Sequence, residues 1–410
     1  ATHLIGNSTD GLRNAGTAVF SEDVIVDASN YTNGILNAGT LTANGSMNIN
    51  ATNMSEGGLV NWSGRVNVKK DLTITNNTTT AVNTSGINIS GGKVSVEGNT
   101  KVDVTGTATN NMSNAYAAGI RVTGVNSIFE SLGTNNTITT TGMNAHGIYI
   151  TNGTIALGTT APTTATGATI LLESGTVTTS GAGAHAVYAN NATGNITITE
   201  GTAGVIKTTG ATADGIEVVN NGTGKTIVTT SGTIATTGIG INTTNNSTAG
   251  DTTVSQTAGT ITGSSGIHTS NSGVGNTTIN TSGRVTGTSG FGISAVTSGS
   301  ATGNTDITNT GTVSGATLGI NAGTIGGSGN IKVTNTGTVS GGSGGIVTSQ
   351  SGTGNTEAII DGTVTGTNTT SDGVENIISG TSSTGNITVT QNSGTITGGT
   401  NGINSLNDGT

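Results

Sequence analysis

The sequence predicts an all-β fold: a right-handed parallel β-helix of about fourteen coils, each with three short strands. Three observations carry that expectation. A unit of about 27 residues recurs along most of the chain, strand-sized runs alternate apolar with polar residues, and the composition is too poor in large side chains for another kind of core. The 410 residues include 71 Gly, one Pro and no Cys, and only 2% are aromatic and 8% charged. Gly, Thr, Asn and Ser dominate and are poor helix formers. Collagen is excluded, because Gly has no three-residue period and Pro is nearly absent. The lack of Cys excludes a disulfide scaffold and any thiolate-held metal.

The repeat is explicit. Thr-Asn-Thr-Gly-Thr-Val-Ser-Gly occurs at 308–315 and again at 334–341. Around it run three parts. The first is Asn plus a short strand, as in Asn195-Ile-Thr-Ile and Asn386-Ile-Thr-Val. The second is Gly-Thr-Val/Ile, as at Gly259, Gly311 and Gly362. The third is Gly-Ile or a close substitute, whose apolar residues are Ile120, Ile148, Val187, Ile216, Ile241, Ile267, Ile293, Ile320, Ile346, Val374 and Ile403. These recur every 25–29 residues, except for one spacing of 39 between Ile148 and Val187. Fainter members are Gly34-Ile35, Gly58-Leu59 and Gly86-Ile87.

Each part reads as a strand of three to five residues. In Thr197-Ile198-Thr199 the two-residue period puts Ile on one side and both Thr on the other. Gly, Asn and Ser between the strands are turn residues. One coil cannot bury its own Val or Ile, but stacked coils make a continuous core column. Coils about 4.8 Å apart would give a rod of roughly 65–70 Å. Asn at a repeated turn position is expected to form an inward amide ladder. Right-handed winding is expected because parallel crossovers are almost always right-handed.

Along the chain, residues 1–30 are expected to form a different first coil or cap, and 31–410 the β-helix, with irregular coils over 31–119 and regular ones over 120–410. The long spacing predicts an extended loop within 151–182 that holds the only proline, Pro162. The chain starts at Ala1, which suggests a mature or excised segment. No capping segment follows Gly402-Ile403, so the native chain is expected to continue, or the rods to stack end to end.

Chemistry is sparse. Net charge is −9, from 11 basic and 20 acidic residues, and clustered Lys and Arg are missing, so nucleic acid is not an expected partner. No apolar run approaches the ~18 residues of a membrane span. Gly341-Gly-Ser343-Gly-Gly345 fits the nucleophile-elbow pattern, but in a repeat turn and not between strand and helix. Asp214-Gly-Ile-Glu217 and Asp372-Gly-Val-Glu375 share a spacing that, in a strand, sends the two carboxyls to opposite faces, which is wrong for a glycosidase pair. The expectation is therefore a non-enzyme with no cofactor.

His146 and His185 occupy one repeat slot, and Asp214 takes it one coil later, giving a His-His-Asp column of metal-ligand types. Slots without constraint accept any polar residue, so this is a weak metal candidate. Tyr149 and Tyr188 fall at matching outward positions, followed by Glu217. With Pro162 in the nearby loop, they are the candidate contacts for a glycan or protein partner. Outward Thr pairs such as Thr260/Thr262 and Thr363/Thr365 resemble an ice-binding array, but Arg284 and Ala235 interrupt it. Asn-x-Ser/Thr sequons are abundant, as at Asn386-Ile-Thr388, but composition alone produces many.

The unit Asn-x-x-Ile/Val … Ser-Gly-Thr-Ile/Val-Thr-Gly … Gly-Ile, as in 386–403, resembles the passenger repeats of bacterial type V secreted proteins, the autotransporters and two-partner filamentous adhesins. The resemblance covers roughly 120–410 well and 30–120 loosely. It implies a right-handed β-helix, export to the cell surface, and roles in adhesion, aggregation or biofilm. The family's protease motif Gly-Asp-Ser-Gly is missing, so that activity is not carried over. The expected function is an extracellular adhesin stalk that contacts a glycan or protein of a host or neighbouring cell, or copies of itself. The alternative is a structural subunit of an extracellular filament or sheath.

Overall fold

The computed structural model describes the chain except residues 1, 6–8, 83, 108–116, 163–166, 192, 247, 300, 381–382 and 410. Every regular element among the described residues is a strand, and these strands pair in parallel. The fold is a parallel β-solenoid of about 14 turns whose strands fall into a larger and a smaller sheet. Two compact units make it up: residues 1–191 with 197–217, and residues 192–196 with 218–410.

The second unit shows how the repeat becomes structure. In one turn, Arg284–Gly287 and Thr305–Asn309 belong to the larger sheet and Ile293–Ser298 to the smaller. Alternation decides what is buried. Along Thr305–Asn309, Thr305, Ile307 and Asn309 point in while Asp306 and Thr308 point out. The Gly-Ile column stacks as read: Ile241 on Ile267, then Ile293, Ile320, Ile346, Val374 and Ile403, each a register partner of the next. The preceding Gly is a steric requirement. A Cβ on Gly319 would meet Val339 Cγ1 at 2.4 Å and the Gly345 carbonyl oxygen at 2.6 Å. The two octapeptide copies lie on one another, with Thr312, Val313, Ser314 and Gly315 opposite Thr338, Val339, Ser340 and Gly341.

Amide ladders run inside and outside. Inside, Asn309 Nδ2 donates to Asn335 Oδ1 at 2.8 Å, and in the first unit Asn14 donates to Asn37 and Asn37 to Asn61. Outside, Oδ1 of Asn276, Asn304, Asn330 and Asn355 accepts the backbone N–H of Asn304, Asn330, Asn355 and Asn386 in turn, at 2.8–2.9 Å. These bonds satisfy turn amides that the strand ladders leave out.

Of the two expectations for residues 1–30, a coil or a cap, the described residues stack as a coil. Thr2–Ile5 and Thr17–Phe20 pair in parallel with the strands of the next turn, and Leu12 sits opposite Ile35. Gly11-Leu12 is thus the first Gly-Ile slot, hidden by its Leu. The coils over 31–119 keep the same register, Ile35 to Leu59 to Ile87 to Ile120. Part of the expected loop, residues 163–166, lies outside the described residues, and the described part that follows joins the wall. Gly167–Thr179 is one long strand whose first half pairs with Gly153–Leu157, from Gly153 opposite Ala168 to Leu157 opposite Leu172. Its second half pairs with Thr137–Thr141. The run Ala168-Thr-Ile-Leu-Leu172 has the strand alternation, so it adds a rung to the wall.

Candidate functional site

The chemistry-bearing side chains gather on the smaller sheet of the first unit. His146–Ile150 and Val187–Asn191 stack in register, with Ile148 on Val187 and Tyr149 on Tyr188. A turn precedes each strand, and the slot residue, which opens the first strand as His146 and lies two residues before the second as His185, leaves strict alternation.

The two imidazoles stack at 5.2 Å between ring centres, 12° from parallel. Their Nδ1 atoms link successive turns. His146 Nδ1 accepts the backbone N–H of His185 at 3.2 Å, and His185 Nδ1 accepts that of Asp214 at 3.0 Å. In a neutral ring the proton therefore sits on Nε2 in both residues. His185 Nε2 is 3.2 Å from Glu217 Oε2 and donates to it. Nε2 of His146 is buried with no hydrogen-bond partner. Tyr188 packs 4.9 Å from His146 and 5.5 Å from Tyr149, and the Arg121 guanidinium lies 5.7 Å over the Tyr149 ring.

This packing corrects two expectations. Tyr149 and Tyr188 point away from Ile148 and Val187, but they are only 1% and 6% exposed. The rings of His146 and His185 and the Arg121 guanidinium cover them, so the tyrosines form a buried stack and present no aromatic contact surface. Asp214 and Glu217 converge where alternation would separate them. Asp214 hydrogen-bonds the Glu217 side chain. The reason is that the strand begins at Ile216, so Asp214 lies in the turn, where the two-residue period does not hold.

Electrostatics follow burial. Burial pushes the Glu217 carboxyl up to about 8, with the charge of Asp214 and their shared hydrogen bond adding to it. Burial pulls His146 down to about 3, helped by His185. His185 is also lowered by burial, against the pull of Asp214. Tyr188 is pushed up to about 12 by burial, Glu217 and Tyr149.

His185, Asp214 and Glu217 each offer a ligand-type atom within 4.8 Å of the others. The predicted column of His146, His185 and Asp214 differs from this set, because Glu217 replaces His146. The ring chemistry does not suit a cation. The His185 nitrogen that faces Glu217 carries the proton, and its other nitrogen is taken by the Asp214 amide. Both are occupied by hydrogen bonds, so neither has a lone pair for a metal.

Pro162 lies elsewhere. It is exposed, and the segment before it is tied down by the Ala161 N–H donating to Glu130 Oε2 at 3.2 Å. Glu130 also pairs with Lys93 at 2.5 Å, on the larger sheet and away from the tyrosines. Arg121 was missed in the sequence. Its position opposite Tyr149 in the register is the signal that would have found it.

Fold and site together define a parallel β-solenoid with a buried aromatic and imidazole column. No family model, curated protein or solved structure matches the chain.

Proposed function

We propose that the chain is an extracellular β-helical stalk at a bacterial cell surface that mediates adhesion or cell aggregation without catalysis. Each turn is read as a three-strand coil wound right-handed, the hand that parallel crossovers take. The observation that supports the reading is the outward face of the second unit. Thr338, Thr363 and Thr395 stack in exposed register, beside Ser340, Thr365 and Thr397. A regular hydroxyl surface of this kind suits many weak contacts to a surface glycan or protein, and repetition turns weak contacts into avidity. The repeat resemblance over 120–410 points the same way.

The test displays the protein on beads and measures capture of cells and of a glycan panel. Capture that falls when Thr338, Thr363 and Thr395 are replaced by Lys together supports the reading. Full capture by that variant, or none by the native protein, overturns it.

A second reading is a filament subunit joined end to end. Its support is the repeat itself, whose two octapeptide copies stack on one another in register as a second molecule's turn could. Polymer growth in purified protein, read by light scattering, separates the two.

A further inference from the structure

The slot occupied by His146 and His185 has a job that recurs along the chain. In the second unit, Ser265 holds the same slot, two residues before Ile267, and its Oγ accepts the N–H of Phe291, the slot residue of the next turn, at 3.2 Å. Asp372, two before Val374, accepts the N–H of Asn401 at 3.1 Å. The slot side chain thus clips the next turn by its amide. Ser keeps its acceptor at any pH. A histidine loses it on gaining a proton, because the added proton must go on Nδ1, the accepting atom.

We propose that His146 and His185 form an acid-released latch: their Nδ1 atoms hold the amides of successive turns at neutral pH, and a proton on either ring releases the turn it holds. Sites that face the rings favour release over accommodation. His146 is fully buried, and its Nε2 has no acceptor to stabilise a cation. The other charged or titratable groups packed on the pair are Tyr149, Tyr188, Asp214 and Glu217, with Arg121 one ring further out, over Tyr149. Arg121 carries like charge. The carboxyls reach His185 and not His146, and Glu217 shares its proton with Asp214. A charged His146 therefore has no counter-ion unless the stack opens, and opening exposes both tyrosines. The proposal does not depend on the adhesin reading.

The experiment is hydrogen exchange by mass spectrometry on the full chain at pH 6.0 and pH 3.5, corrected for intrinsic exchange. Opening of segments 185–191 and 214–217 should rise at least tenfold in acid, while residues 333–341 change less than twofold. The double variant His146→Asn, His185→Asn supplies a non-titrating Oδ1, the acceptor that Asn276 and Asn304 use elsewhere. It should abolish the acid response. An equal acid response in that variant, no response in the native chain, or a rise across the whole chain would overturn the latch. A second measurement needs no variant. Nitrogen NMR of labelled histidine in the native protein should show both rings as the Nε2–H tautomer at pH 7.5. Protons on Nδ1 at that pH would refute the clip itself.

Discussion

Replacing Glu217 by Gln should stabilise the local fold at neutral and alkaline pH. Glu217 has its folded carboxyl raised to about 8, against 4.5 in an open chain. A raised carboxyl holds its proton in the fold and loses it on unfolding. Its contribution is full below pH 4.5 and falls as pH rises toward 8. From 4.5 to 7 is 2.5 units, and at 1.36 kcal/mol per unit the loss is about 3 kcal/mol. His146 works in the opposite sense. Its pKa is depressed from 6.5 to about 3, so its share of stability is present above 6.5 and drains as pH falls. Between 4.5 and 6.5 the two slopes offset, which leaves a plateau flanked by an alkaline loss from Glu217 and an acid loss from the histidines. Gln keeps the size and the acceptor of Glu217 and has no proton to lose. The assay is urea titration followed by hydrogen exchange in segment 214–217 at pH 5.5, 7 and 8, because solenoid stability is local. The variant should exceed native protein slightly at pH 5.5, by about 1 kcal/mol, and by more at pH 8. An unchanged alkaline slope in the variant, or a loss of stability at pH 8, would refute the shared-proton reading.

The other predictions concern the wall. Ile320→Ala removes a fully buried side chain between Ile293 and Ile346, and should cost about 2–5 kcal/mol, seen as faster exchange in the strands that stack on it and little change at residues 24–52. Asn309→Ala strands Asn335 Oδ1 and the Thr281 hydroxyl, and should cost about 1–3 kcal/mol by urea midpoint. Gly319→Ala forces a methyl against Val339 and the Gly345 carbonyl, and should lower the thermal midpoint, while Gly16→Ala, where a Cβ meets nothing within 4 Å, should not.

The sequence exposed the stacked architecture because the rule that builds it is local. Alternation selects Ile307 and Val333 for the interior, and a 26-residue return puts them in register. It also placed His146 with His185 and Tyr149 with Tyr188, since register is arithmetic. What it did not show lies at strand entries and in the third dimension. Alternation gave Asp214 and Glu217 opposite faces, but Asp214 sits before the strand. Outward was equated with exposed for the tyrosines, yet large neighbours on adjacent turns bury an outward ring. The insert read as a loop because its strand, 168–172, lacks the Gly-Thr-Val/Ile heading and sits where no repeat was due.

The octapeptide that lies on its own copy has a consequence for assembly. If the chain slipped by one whole turn while folding, Thr-Asn-Thr-Gly-Thr-Val-Ser-Gly would meet an equivalent partner, and every inward side chain would still face inward. Such a slip costs the repeat almost nothing, so the uniform stretch cannot by itself choose its partner. The imidazole and tyrosine column can. Beyond that pair of turns its slots are filled otherwise, by Ala118 and Arg121 before it and by Asp214 and Glu217 after it, so a slip there would break the ring stack. The irregular turns thus act as the alignment mark from which the degenerate ones are counted.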